Sequence, residues 1–191
     1  MINGKSVQFK NSGATLDVFE GFKTGKNNLA FDFSAKPKQT LYFIGEGDDL
    51  QIWTQGQGKY TSHWLPSFDD VNEKVIFNVS VEFRNDFIVL SNGNLVDKTF
   101  NSKGNLVKWN YQMQKPMSSY LVMLAIGKFI KQKEVTKSGT QLEYYLDRNE
   151  INTLFGADSR YVVLLLIPTI YLAFKLILIL PKVSLNKSIS I

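Results

Sequence analysis

The chain has 191 residues, of which 44% are hydrophobic and 20% charged, a length and balance suited to one globular domain. Its formal charge is +5, but all 17 Asp and Glu lie at or before Asp158, and only three of its 22 Lys and Arg lie beyond Tyr161. The long N-terminal part is therefore close to neutral, and no basic block points to nucleic acid as a partner. With no cysteine and one histidine, we expect no disulfides and no zinc site built by this chain.

The first half of the chain predicts short strands separated by turns. Alternating apolar residues indicate strands around 7–9, Leu16–Val18 and 29–33. An apolar run at Leu41–Ile44 and the segment Gln51–Thr54 indicate two more, with an acidic, glycine-rich turn between them.

The second half continues in the same way. Period-two alternation is clearest over 75–83 and 107–113, which predicts two strands with one buried face each. The polar residues 97–105 predict an excursion without a strand, and residues 152–161 predict the start of a helix. Shorter alternating or apolar segments predict four further strands: 87–90, 119–126 (buried on both faces), 129–135 and 142–146. Many short strands with hardly any helical periodicity predict an all-β fold, an antiparallel β-sandwich.

The composition changes at residue 162. Residues 162–181 are apolar apart from Pro168, Thr169, Lys175 and Pro181, and the run has the length of roughly 20 residues that a helix needs to cross a bilayer. Two interpretations stay open. The segment is a membrane anchor that inserts through 162–180, or it is a frameshifted tail, since an AT-rich coding region read out of frame gives such a bias. The last ten residues, 182–191, form a basic polar tail.

Residues 53–74 are dense in turn-forming residues and hold the one histidine and two of the three tryptophans. They predict a long structured turn whose aromatic residues plug the end of a sheet. We expect a surface or structural role for His63. Adjacent residues on an extended chain point to opposite faces, so the acidic pairs at 48–49 and 69–70 predict turn and capping roles rather than an acid/base couple.

Six short motifs follow one another between residues 2 and 129. They are INGK (2–5), WTQGQG (53–58), WLPSFDD (64–70), LSNG (90–93), KPMSSYL (115–121) and IGKF (126–129). Together they resemble the N-terminal domain of the zinc aminopeptidase family that includes aminopeptidase N and leukotriene hydrolase. The resemblance covers residues 2–161. Val71 departs from the family pattern, which has a proline after the paired acids.

The resemblance implies a saddle-like β-sandwich that packs on a separate catalytic domain of a parent enzyme. It implies that Gln57 contacts the N-terminal end of a peptide substrate, with Gln55 and Gly58 shaping the loop. A Gln carboxamide can accept a hydrogen bond from the substrate ammonium without adding charge. The resemblance implies that the protein is located in the cytoplasm or the periplasm. If the apolar tail is genuine, we expect the protein to be associated with a membrane.

The resemblance implies that zinc is the cofactor of the full-length enzymes of this family. The G-x-M-E-N strand and the H-E-x-x-H helix of their catalytic domain do not occur in this sequence. We therefore assign no catalytic or metal-binding residue and expect no peptide hydrolysis by the chain alone. We expect three regions: an incomplete N-terminal domain (1–161), the apolar segment (162–181) and the polar tail (182–191). The alternative function is a membrane-tethered β-sandwich that binds a partner and has no peptidase role.

Overall fold

The computed structural model describes residues 1–13, 15–55 and 60–147 of the chain. Within them the secondary structure consists of antiparallel strands and two 3-10 turns, Thr61–His63 and Ser119–Leu121, which confirms the all-β prediction. The predicted helix start at 152–161 and the segments 162–181 and 182–191 lie outside these residues. In chain order the strands are β1 (Phe9–Asn11), β2 (Leu16–Val18), β3 (Leu41–Ile44), β4 (Gln51–Thr54), β5 (Lys74–Val75), β6 (Val79–Arg84), β7 (Ile88–Ser91), β8 (Asn94–Phe100), β9 (Leu106–Gln112), β10 (Met117–Ser118), β11 (Leu124–Gly127), β12 (Phe129–Val135) and β13 (Gln141–Asp147).

Residues 1–36 form a compact unit of their own. β1 pairs with β2, and Ile2 makes single bridges to Lys5 and Leu29. The strand predicted over 29–33 is wrong, because only Leu29 makes a bridge within the described part of this unit. The alternating side chains there remain about half exposed, so the pattern does not mark a face buried in this unit.

The second unit begins at Pro37 and contains a four-stranded sheet, in the order β3-β4-β11-β7, and a three-stranded sheet, in the order β6-β9-β8. The pairs β5 with β10 and β12 with β13 complete its described strands. Ile52, Val89 and Ile126 of the larger sheet are buried in one cluster with Val107 and Trp109 of the smaller sheet. Two antiparallel sheets thus enclose one apolar core, as the prediction of a β-sandwich requires.

Two long predicted strands are each divided in the structure. The alternating run 75–83 splits because β5 pairs with β10, whereas β6 pairs with β9 in the three-stranded sheet. The apolar run 119–126 begins with a 3-10 turn, and only its last part enters the sheet as β11. In both segments the chain changes its hydrogen-bonding partner, which hydrophobic periodicity does not reveal.

The strand β8 corrects part of the prediction that residues 97–105 are a polar excursion, because residues 97–100 belong to β8, whereas residues 101–105 form the connection to β9. β8 lies at the edge of its sheet, pairs with β9 and is exposed at every position. Because neither of its faces is covered, it has no apolar alternation to detect. The strands predicted at 87–90, 107–113, 129–135 and 142–146 are confirmed as β7, β9, β12 and β13.

Candidate functional site

The candidate site lies where β4 ends and the WTQGQG motif leaves the four-stranded sheet. Gln55 is half-buried, and its backbone N–H donates a hydrogen bond to the Thr40 carbonyl at 2.8 Å. Of the three residues predicted to contact or shape the substrate site, Gln55 lies among the described residues, and its role in shaping the loop stays a prediction. Gln57 and Gly58 lie outside the described residues, so their roles stay predictions.

Thr40 contacts both sides of this loop. It is 1% exposed and immediately precedes β3. Besides accepting the Gln55 N–H, it donates its Oγ1 hydrogen to the Tyr60 carbonyl at 3.1 Å. Thr40 therefore holds both ends of the loop, Gln55 on one side and Tyr60 on the other. Sequence reasoning missed Thr40, since neither burial nor hydrogen bonding to distant backbone is visible in a single threonine.

Thr54 ties the end of β4 to the neighbouring strand. Its Oγ1 accepts a hydrogen bond from the Leu124 N–H at 2.9 Å. Its backbone belongs to the ladder with β3, where it pairs with Leu41. The threonine of the WTQGQG motif thus has a structural role, because it fixes the position from which the loop departs.

The segment after the loop is organised by two aspartates. The Asp69 carboxylate accepts hydrogen bonds from the backbone N–H of Ser62, at 3.1 Å, and from the Ser62 hydroxyl. Asp70 Oδ1 accepts the Asn72 N–H at 2.9 Å, which closes an Asx turn. The predicted turn and capping roles of the 69–70 pair are confirmed.

The KPMSSYL motif docks this segment through two buried serines. Ser118 Oγ donates to the Val71 carbonyl and Ser119 Oγ donates to the Phe68 carbonyl, each at 2.6 Å. In return, Thr61 donates its hydroxyl hydrogen to the Ser119 carbonyl at 3.0 Å. Residues 61–71 are therefore attached at three points to Ser118 of β10 and to Ser119 of the 3-10 turn that follows it.

The LSNG motif holds Met123, the residue immediately before β11. Asn92 Oδ1 accepts the Met123 N–H at 2.6 Å, and Ser91 Oγ donates to the Met123 carbonyl at 2.8 Å. Gly93 follows at φ +87°, and a Cβ there would overlap the Gln112 carbonyl. The turn thus needs a glycine, and its two preceding side chains hold the start of β11.

The profile of the Peptidase M1 N-terminal domain family matches residues 2–121, which include Thr40, Thr54, Asn92, Ser118 and Ser119. The chain belongs to this family.

The curated relatives of this M1 N-terminal domain are aminopeptidases. The puromycin-sensitive aminopeptidase of Caenorhabditis elegans is 33% identical over 92 residues, 48% of this chain and 10% of that protein. Aminopeptidase A of Gloydius brevicauda is 30% identical over 100 residues, 52% of this chain and 10% of that protein. Aminopeptidase N of Haemophilus influenzae is 34% identical over 175 residues, 79% of this chain and 20% of that protein. The chain thus spans a tenth to a fifth of the length of these relatives.

The aromatic residues of the M1 loop region occupy different environments. Trp64 packs against the main core cluster, which confirms a plugging role for this residue. The same prediction is wrong for Tyr60 and Phe68, which are 45% and 69% exposed. Trp53 belongs to β4, where it stacks on Tyr42 with ring centroids 4.9 Å apart. His63 is exposed, with its ring edge against Tyr60, as expected for a surface residue.

An ion-pair network occupies the opposite end of the four-stranded sheet of this M1 domain. Lys128 Nζ lies 2.6 Å from Asp48 and 2.9 Å from Asp86, and Arg84 lies 2.7 Å from Asp86. The hydrogen bonds from Arg84 and Lys128 lower the pKa of Asp86 well below its ordinary range. Asp48 lies in the turn between β3 and β4, as predicted, and its side chain adds an ion pair that the sequence did not predict.

The described residues hold neither a cluster of metal ligands nor a membrane-spanning helix. Among residues 1–13, 15–55 and 60–147, no three His, Cys, Asp or Glu side chains converge as metal ligands would. In the same part of the chain, no helix has the length and apolar character needed to cross a bilayer.

Proposed function

We propose that this chain supplies the substrate-anchoring part of a zinc-dependent aminopeptidase and does not hydrolyse peptides by itself. The observation that carries the proposal is the hydrogen-bonded frame around Gln55 and Tyr60. Three of the motifs that resemble the family supply that frame through Thr54, Asn92 and Ser119, together with Thr40. A loop whose base is fixed by buried hydrogen bonds is suited to present a side chain to a ligand.

The anchoring side chain in this proposal is Gln57, with Gln55 and Gly58 shaping the loop. The oxygen of the Gln57 carboxamide would accept a hydrogen bond from the ammonium group at the N-terminus of a peptide. The assignment comes from the family resemblance. The names of the relatives, which are aminopeptidases, support a substrate with a free amino terminus.

The catalytic chemistry of this proposal lies with a domain of a parent enzyme. In a zinc peptidase the metal polarises the scissile carbonyl and activates the attacking water. Residues of the described part of this chain do not fit a zinc ion, since they hold no converging ligand set. The whole sequence contains a single histidine and no cysteine. In this proposal the metal and its ligands therefore belong to the catalytic domain of the parent enzyme.

The test is a chimera of the Haemophilus influenzae aminopeptidase N in which residues 2–147 of this chain replace the aligned segment. Gln57→Ala in that chimera should raise KM for leucine p-nitroanilide about tenfold to a hundredfold, because a hydrogen bond to a charged group contributes about 1.5–3 kcal/mol. The kcat should change little, since the amine is held equally in the ground state and the transition state.

Gln132→Ala is the matched control, because Gln132 is an exposed glutamine on β12. This variant should leave KM unchanged. An unchanged KM in Gln57→Ala, in a chimera with full zinc content and turnover, would contradict the anchoring role. The purified 191-residue chain should give no turnover with zinc added, and metal-dependent turnover that survives repurification would contradict the second half of the proposal.

The alternative of a membrane-tethered binding module depends on residues 162–180. These residues lie outside the described part of the chain, so insertion stays a prediction. Insertion would make the full chain resistant to carbonate extraction from membranes, and a variant ending at Tyr161 would be extracted.

A further inference from the structure

Thr40 has a backbone conformation that suits its side chain poorly. Its φ is +80°, in the left-handed region that β-branched residues rarely adopt. Glycine would take this conformation without steric cost. Threonine at this position must therefore offer something that glycine lacks. The hydroxyl group is the polar group that distinguishes a threonine side chain from glycine.

The Thr40 hydroxyl acts on the loop and not on its own strand. Its Oγ1 donates to the Tyr60 carbonyl, which is 20 residues away along the chain. The Thr40 carbonyl receives the Gln55 N–H and so extends the ladder between β3 and β4 by one residue. Two bonds from one buried residue therefore set the separation between Gln55 and Tyr60.

We propose that Thr40 is a positioning residue that fixes both ends of the Gln55–Tyr60 loop and thereby the place where the loop meets substrate. The part concerning substrate rests on the proposed function above, whereas the part concerning the loop ends does not. Glycine at position 40 would relieve the backbone and still offer a carbonyl to the Gln55 N–H, but it would release Tyr60. With one end of the loop free, the bond at Gln55 would open more often.

Loss of the hydroxyl should not by itself unfold the chain. The Tyr60 carbonyl also accepts the His63 N–H at 3.1 Å, so it keeps one partner when the Thr40 hydroxyl is removed. Thr40→Val removes the hydroxyl and keeps the branched shape, whereas Thr40→Gly removes the hydroxyl and fits the positive φ. Thr40→Ser keeps the hydroxyl. The glycine variant keeps the test valid if the valine variant does not fold.

The test is residue-level amide hydrogen exchange on the full 191-residue chain. We expect the Gln55 amide to exchange at least tenfold faster in Thr40→Val and Thr40→Gly, beyond any change at Ile126 in the core strand β11. Thr40→Ser should stay within threefold of the original chain. Equal acceleration at Gln55 and Ile126, or loss of protection in the serine variant as well, would overturn the proposal.

Thr61→Val is the matched control. Thr61 is also 1% exposed and also donates its hydroxyl to a backbone carbonyl, that of Ser119, at 3.0 Å. Its loss should leave the Gln55 amide within threefold of the original rate. If Thr61→Val accelerates Gln55 as strongly as Thr40→Val does, any buried threonine in this region has the same effect and Thr40 has no positioning role.

The chimera separates this proposal from the proposed function. Thr40→Val in the chimera should raise KM at least fivefold with kcat within twofold, and Thr40→Ser should leave both unchanged. If Thr40→Val accelerates exchange at Gln55 while Gln57→Ala leaves KM unchanged, the loop-end role stands and substrate anchoring fails. If Gln57→Ala raises KM while exchange at Gln55 is unaffected, anchoring stands and the role of Thr40 is overturned.

Discussion

Tyr111 connects the two sheets of the sandwich through one buried hydrogen bond. It lies on β9, is 6% exposed, and donates its phenolic hydrogen to the Val89 carbonyl of β7 at 2.7 Å. Burial raises the pKa of Tyr111 above its ordinary value. In the unfolded chain the phenol would ionise near pH 10, whereas in the folded chain it stays protonated. Its contribution to stability is therefore complete below about pH 10 and is lost as the pH rises further.

Tyr111→Phe tests this assignment. At pH 7 we expect the variant to be less stable by about 0.5–1.5 kcal/mol, the net contribution of one hydrogen bond. Between pH 9 and pH 11 the original chain should lose more stability than the variant, because only the original chain has this phenol to ionise. Urea denaturation at both pH values measures the difference. Parallel losses in the two proteins would show that Tyr111 is not the titrating group.

Gly93 makes the LSNG turn possible. A Cβ at this position would meet the Gln112 carbonyl, and the φ of +87° is unfavourable for any other residue. Gly93→Ala should destabilise the chain by more than about 1–3 kcal/mol, since the backbone strain and the overlap add. Gly139→Ala is the matched control, because Gly139 has φ +83° and open space around it. Chemical denaturation should show the larger loss at Gly93, and equal losses would exclude a contribution from the overlap.

Residue-level prediction succeeded where a side chain acts locally. The roles of Asp69 and Asp70 follow from the turn preferences of aspartate, and His63 is exposed as expected. It failed where a residue acts across the chain. Thr40 bonds a carbonyl 20 residues away, and Asp48 pairs with Lys128, 80 residues away. Such pairings depend on the sheet order, which no local pattern specifies.

At the scale of elements, the short strand β10 and the 3-10 turn that follows it dock the chain that comes after the candidate loop. Ser118 and Ser119 donate to two carbonyls of residues 68–71 and are both buried. We expect the double variant Ser118→Ala with Ser119→Ala to lose about 0.5–1.5 kcal/mol for each bond. Peptides covering residues 60–72 should exchange amide hydrogens faster in mass spectrometry.

Ser80→Ala is the control for this pair. Ser80 also forms a hydrogen bond, to the Asn110 side chain at 2.6 Å, but it is exposed and lies on β6, away from β10. It should leave the exchange of residues 60–72 unchanged. Unchanged exchange in the Ser118 and Ser119 double variant would contradict the docking role of β10.

A strand is easiest to predict when it keeps the same partners along its length and has one buried face. β9 is an example, since it is the central strand of its sheet and alternates between exposed and buried positions. The strands that were missed or divided lack one of these conditions. β8 has no buried face, and the run 75–83 changes its partner sheet part-way along.

At the scale of the whole molecule, the resemblance to the aminopeptidase family was carried by residues that form the frame of the candidate site. Ser91, Asn92, Ser118 and Ser119 each form a hydrogen bond with a backbone group of another segment. These motifs lie where the chain turns and where one segment docks on another. The roles of Gln57 and Gly58 depend on a substrate and a catalytic domain, so neither the pattern of the chain nor its fold assigns them.

The measurement that tests the anchoring role most directly is a comparison of two inhibitors in the chimera. Leucine hydroxamate and 4-methylpentanohydroxamate both carry a metal-binding group, but only the first has an amino group. We predict that the first binds more tightly and that Gln57→Ala removes most of this advantage, weakening the first about tenfold to a hundredfold and leaving the second unchanged. An advantage of the amino group that survives in Gln57→Ala would contradict the claim that this chain holds the substrate's N-terminus.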